Sequence, residues 1–108
     1  MTDDHPMKTT DVRNLTWQEI RGTLTGMREL IHAWLLAHGP ATTKAIAGEL
    51  HLKLLTVRPR VSELCAWGFA ECVGTVDRWD GLYRAVTVQE AQARHEESLR
   101  ESQLNLLL

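Results

Sequence analysis

Residues 55–69 read LTVRPRVSELCAWGF. The stretch opens on a helix start signal and closes on a helix stop signal. The Thr56 side chain can accept a hydrogen bond from a first-turn amide, and Gly68 supplies the left-handed residue on which many helices end. Pro59 fits a helix that begins at Val57, because first-turn amides have no intrahelical acceptor. The predicted helix therefore runs from Val57 to Trp67. Val57, Val61, Leu64 and Cys65 fall on one arc and are expected to face a core. Pro59, Ser62, Glu63 and Ala66 point away from it, while Arg58 and Arg60 flank the arc on opposite sides.

Everything upstream supplies partners for that arc. Thr42 caps a predicted helix from Thr43 to Leu50 with Ile46, Ala47 and Leu50 inward. Gly48 within it costs about 1 kcal/mol relative to alanine, which a close approach to a neighbouring helix would explain. Gly39 and Pro40 end a longer helix from Gly26 to His38, with Thr25 as its N-cap. Met27, Leu30, Ile31, Trp34 and Leu35 make its apolar stripe. Ahead of it, Thr16 and Glu19 form a capping box for a short helix whose inner face is Trp17, Ile20 and Leu24. Ala41 is expected in a short extended piece after the proline.

Downstream, Phe69 to Thr75 has strand character, Asp77 to Gly81 is turn-rich, and Leu82 to Val88 alternates weakly. This reads as a hairpin. A second capping box, Thr87 and Glu90, opens a last helix with Ala91, Ala93, His95, Leu99 and Leu106 on a thin seam. The 108 residues suit one domain. The expected division is a flexible N-terminus over 1–14, the domain proper over 15–88, and a C-terminal helix over 89–108. The fold class is mainly α with a small β-hairpin.

This order resembles the winged helix-turn-helix family, including the MarR and ArsR types of bacterial regulator. The resemblance covers about residues 26–88. It rests on GPATTKAIAGEL at 39–50, similar to the family's second helix and its lead-in, and on LTVRPRVSELCAWGFA at 55–70, similar to its recognition helix and first wing strand. The chain also looks like the small winged-helix proteins of phage and prophage regions. The resemblance implies a three-helix core plus a wing, with an added helix at each end. It implies sequence-specific binding of double-stranded DNA by a transcriptional regulator. Thr56, Arg58, Pro59, Arg60 and Ser62 match the positions that face the major groove, and Arg78 and Trp79 match the wing tip. Lys44 and Arg84, with Lys53, extend the expected basic surface. Ala45 departs from the family's frequent glutamate, and Glu63, Asp77 and Asp80 put acids near the expected contact face.

The composition limits the functional classes. Net charge is −2, and the basic residues concentrate in the middle, where Lys44, Lys53, Arg58, Arg60, Arg78 and Arg84 face Glu49, Glu63, Glu71, Asp77 and Asp80. The alternative to DNA binding is a protein-interaction module on the same scaffold. For Trp79, hairpin packing and contact with a partner are equally compatible readings. Cys65 reads as a buried thiol and Cys72 as a strand residue, and the histidines lack ligand spacing, so neither metal nor cofactor is expected. No glycine-rich phosphate loop, metalloprotease motif or nucleophile elbow is present, and no enzyme is expected. No apolar run approaches the roughly 20 residues that span a bilayer, and no signal segment is visible. A cytoplasmic protein is expected, with a homodimer formed through Leu99, Leu104, Leu106, Leu107 and Leu108 of the C-terminal helix.

Overall fold

The computed structural model describes residues 15–107, so the N-terminal segment 1–14 and Leu108 lie outside the described residues. The elements follow in the order α1 (Trp17–Gly22), α2 (Gly26–His38), α3 (Thr43–Leu50), α4 (Leu54–Ala66), β1 (Ala70–Val76), β2 (Asp80–Ala85) and α5 (Val88–Leu107).

The capping signals act as the sequence suggests at most helix starts. Glu19 N donates to Thr16 Oγ1 at 3.2 Å, and Thr16 N donates to Glu19 Oε2 at 3.4 Å. Thr42 Oγ1 accepts from Ala45 N at 3.1 Å. Thr25 holds the N-cap position of α2 without a side-chain hydrogen bond. At α5, Thr87 Oγ1 accepts from Glu90 N at 3.1 Å, while the Glu90 carboxylate turns to arginines instead of completing the box.

α4 begins earlier than expected. Its N-cap is Lys53, not Thr56, and Pro59 lies inside the helix. The Thr56 and Val57 amides both donate to the Lys53 carbonyl, at 2.9 and 3.1 Å, so the first turn is already closed before Val57. Pro59 has no amide to offer the Leu55 carbonyl four residues back. Leu55 is 82% exposed, so water can serve that carbonyl at small cost. The end matches expectation within one residue: Ala66 is last and Trp67 is the C-cap. Gly68 takes a left-handed φ of 87°. Its amide bonds Cys65 O and the Phe69 amide bonds Leu64 O, a Schellman closure in which Phe69 and Leu64 are both fully buried.

The core lies where α1, α2, α3 and α4 converge on the base of the hairpin. Its largest side chains are Phe69, Ile20, Ile31, Leu35, Ile46, Leu64, Val57, Val61 and Val86. Of the expected α2 stripe, Ile31 and Leu35 are buried and Met27 and Trp34 pack against the core; Leu30 is exposed, and His32 is buried at 3%. That burial is stabilised by a 2.8 Å hydrogen bond between His32 Nε2 and the Val86 carbonyl and by edge-on contact with Phe69 at 5.8 Å. Gly48 has no close helix neighbour, since a Cβ there would meet nothing within 4 Å.

The hairpin is antiparallel, running from Ala70↔Ala85 to Val76↔Asp80 with a bulge between Cys72 and Gly74. Ala41 adds a bridge to Tyr83 through two 2.9 Å backbone hydrogen bonds, which locks the lead-in of α3 to the wing. The apex turns on Asp77 and Arg78, with left-handed φ values of 53° and 76°. Gly81 lies under the Tyr83 ring, and a Cβ there would fall 2.8 Å from the Tyr83 hydroxyl, so a larger residue would have to displace the end of that side chain. α5 docks through Ala91 and the half-buried His95 and then leaves Leu99 and Leu104 exposed at 43% and 59%.

Candidate nucleic-acid interface

The buried arc of α4 consists of Val57, Val61 and Leu64. With that arc pinned to the core, helical geometry sends Thr56, Arg58, Pro59 and Ser62 outward, and all four are exposed. The wing apex stands beside this face. Arg58, Val61, Ser62, Trp79 and Tyr83 line one cleft of 230 Å³ between α4 and β2. Trp79 is 86% exposed, so it packs into neither the hairpin nor the core. Arg58 enters no ion pair among the described residues, and neither does Arg78.

The other expected cations are placed differently. Arg60 is ion-paired to Glu63 one turn on. Glu63 also holds Arg28 at 3.2 Å, and Arg28 sits 4.9 Å from the centre of the Trp67 ring while donating to the Thr23 carbonyl at 2.8 Å. Arg60 thus belongs to a cluster tying α4 to α2, not to the cleft. Lys44 reaches Asp80 at 3.3 Å. This pair borders the cleft and neutralises its acid. Arg84 points to the opposite side of the wing, bonding Glu71 at 2.6 Å and Glu90 at 3.4 Å. Arg94 completes that group, bonding Glu71 at 2.8 Å and Glu90 at 2.7 Å. The hydrogen bonds from Arg94 and then Arg84 hold the Glu71 carboxyl below its ordinary range. In return Glu71 raises the Arg84 guanidinium above its own.

The structure brings Arg58, Ser62 and Trp79 to one cleft, leaves Thr56 and Pro59 exposed on the same helix, and takes Arg60 and Arg84 into ion pairs elsewhere. Tyr83 and Thr43 also line the cleft and were not among the sequence candidates. The spacing of Gly81 and Tyr83 on one strand face was the available signal for the tyrosine. Behind the cleft, Cys65 and Cys72 share a second hollow with Tyr83. Burial, then Cys72 and Glu71, pushes the Cys65 thiol up to about 11. Burial, then the two cysteines, also raises the Tyr83 phenol. Both groups therefore stay protonated at neutral pH. Among the described residues no group of three or more His, Cys, Asp or Glu is placed to hold a metal ion, and no helix is long and apolar enough to cross a membrane.

A helix-turn-helix formed by α3 and α4, followed by a two-stranded wing, defines the winged helix-turn-helix fold. Solved structures agree. The homodimeric winged helix-turn-helix DNA-binding domain of a possible ArsR-family regulator from Mycobacterium bovis is similar at 19% identity, with 97% of this chain and 94% of that one covered and a TM-score of 0.56. A mutant of MarR from E. coli is similar at 15% identity, covering 85% of this chain and 68% of that one, with a TM-score of 0.57. ZitR from Lactococcus lactis matches at 19% identity over 95% of this chain and 85% of that one, with a TM-score of 0.53. At these identities the likeness concerns the fold. No protein-family model matches the chain, and comparison with curated proteins yields no match.

Proposed function

We propose that this protein is a DNA-binding transcriptional regulator that places α4 in the major groove of double-stranded DNA and lays the wing on the flanking groove or backbone. The observation that carries the reading is the pairing of Arg58 with an exposed wing apex across an open cleft. An arginine on an exposed helix face can pair bidentately with guanine or bind phosphate. Arg78 and Trp79 stand where a wing meets DNA, and Thr56 and Ser62 add hydroxyls on the same side. A salt titration of binding to random duplex pools, followed by selection of bound sequences, tests the reading. Affinity is expected to fall steeply with salt, and the selection is expected to converge on one motif. No binding at low salt would overturn it.

The reading includes a homodimer. α5 is 20 residues long and packs only near its start, leaving Leu99 and Leu104 uncovered. A second copy pairing along this helix covers them and supplies two recognition helices for paired half-sites. The Mycobacterium bovis neighbour is itself homodimeric. Light scattering is expected to give twice the chain mass, and Leu99→Glu with Leu104→Glu is expected to give the monomer. A second reading, a protein-interaction module, is favoured by the internal neutralisation of Lys44, Arg60 and Arg84. It predicts no duplex binding in the same titration.

A further inference from the structure

The early start of α4 brings Leu55 into the helix, one turn before Pro59. By helical geometry Leu55, Pro59 and Ser62 fall within about 60° of one another, opposite the buried Val57, Val61 and Leu64. They form the ridge of α4 that stands farthest from the core. Leu55 is 82% exposed, and Pro59 is exposed and takes no part in the core. Pro59 also weakens the helix around it, because an interior position needs the amide that proline lacks. A residue that weakens its own helix and packs on no core residue marks a surface shaped for a partner.

We propose, resting on the DNA-binding reading above, that Leu55 and Pro59 select thymine by covering the 5-methyl groups of two thymines in the major groove. Neither side chain has a donor or acceptor, so neither reads a base edge by hydrogen bonding. The thymine methyl is the one apolar group that base pairs present in that groove. A guanine or cytosine edge pressed against the same ridge loses water and gains no partner. Pro59 leans toward Leu55, since side chains tilt toward the helix N-terminus, and the two make one patch. Their α-carbons are about 6 Å apart along the axis, close to two base steps of about 3.4 Å. The two thymines therefore lie within about three successive base pairs.

The flanks of the ridge suit a duplex. Arg58 on one side and Lys53 at the N-terminal end enter no ion pair among the described residues. Glu63 on the other side is neutralised by Arg28 at 3.2 Å and by Arg60. A narrow apolar ridge edged by free cations complements a groove with methyl groups on its floor and phosphates along its rims.

The test uses the full chain and the duplex recovered by selection from the random pool, read by fluorescence anisotropy. Each thymine is replaced in turn by deoxyuridine, which pairs alike and lacks only the methyl. At two positions the replacement is expected to weaken binding about fourfold, the ratio for returning one buried methyl group to water. Leu55→Ser is expected to weaken binding to the thymine duplex about fourfold. It is expected to remove the preference for thymine at one of those positions and to leave the melting temperature unchanged. Pro59→Ser is expected to do the same at the other position, with an equal or higher melting temperature. The deoxyuridine series on the unaltered chain stands whether or not the variants fold. Deoxyuridine bound as well as thymine at every position overturns the proposal and leaves the DNA-binding reading in place. So does a selection that converges on a motif without thymine or on no motif, and so does a thymine preference that survives in both variants. No binding to any duplex at low salt overturns both.

Discussion

Arg58 and Arg60 are two residues apart on one helix, and they do different work. Residues at that spacing lie about 200° apart around the axis. With Val57 and Val61 buried between them, one arginine is thrown toward the wing and the other toward α2. Arg58 meets an open cleft beside Trp79. Arg60 meets Glu63, which also secures Arg28 above Trp67. A charge becomes available to a partner only when the fold brings no carboxylate to it. Counting basic residues along the chain therefore overstates the surface offered to a polyanion.

The sharpest way to break this comparison is to reverse each charge separately. Arg58→Glu is expected to weaken duplex binding by about 2–3 kcal/mol, roughly 30- to 150-fold, and to flatten the salt slope, with the melting temperature unchanged. Arg60→Glu is expected to place a second carboxylate beside Glu63 and lower stability, with a smaller loss of affinity. Anisotropy titrations and thermal melts on both variants decide the matter. Equal losses of affinity would show that both flanks of α4 meet the DNA.

A smaller effect is expected from Glu63→Gln, which removes the carboxylate shared by Arg28 and Arg60. The three side chains are between about one quarter and two fifths exposed, so solvent screening limits their worth. A loss of about 1 kcal/mol is expected, equivalent to about 4–8 °C in melting temperature for a domain of this size. DNA affinity is expected to hold or to rise by up to roughly threefold as Arg60 is released toward phosphate. A fall in affinity as large as that of Arg58→Glu would show that Glu63 positions α4 for contact.

The division between the two arginines also marks where sequence reading reached and where it stopped. Caps, glycines and apolar spacing made the helices and the hairpin legible, because these signals act within a few residues. The start of α4 was misplaced because Pro59 looked like a first-turn residue, and nothing local said that an exposed Leu55 carbonyl could do without its amide. On α2 the expected face held except at Leu30, and the burial of His32 was missed for a similar reason: the acceptor that lets His32 be buried is the carbonyl of Val86, 54 residues away. Arg28 finds Glu63 across 35 residues and Lys44 finds Asp80 across 36. Pairings at that range depend on the finished fold. The outward positions of Thr56, Arg58, Pro59 and Ser62 were readable because they follow from the buried arc of their own helix.

The smallest expected effect concerns the third cation cluster, on the far side of the wing, where Arg84 and Arg94 share Glu71 and Glu90. Glu71 is held below the ordinary carboxylate range by Arg94 first and Arg84 second. A carboxyl depressed in the folded state contributes stability at pH above its unfolded value, near 4.3. That contribution is lost as the pH falls through the folded value. The original chain is therefore expected to lose more stability than Glu71→Gln on acidification from pH 6 to about pH 3. Urea midpoints across that range measure the difference. It is expected to be modest, because the group faces water and exposed ion pairs are strongly screened. The two acid limbs converge if Glu71 acts as described. Parallel limbs would mean that the network around Arg84 leaves the fold's stability untouched. Arg84 would then be as available to a partner as Arg58, and the contrast between paired and open cations would fail on this side of the wing.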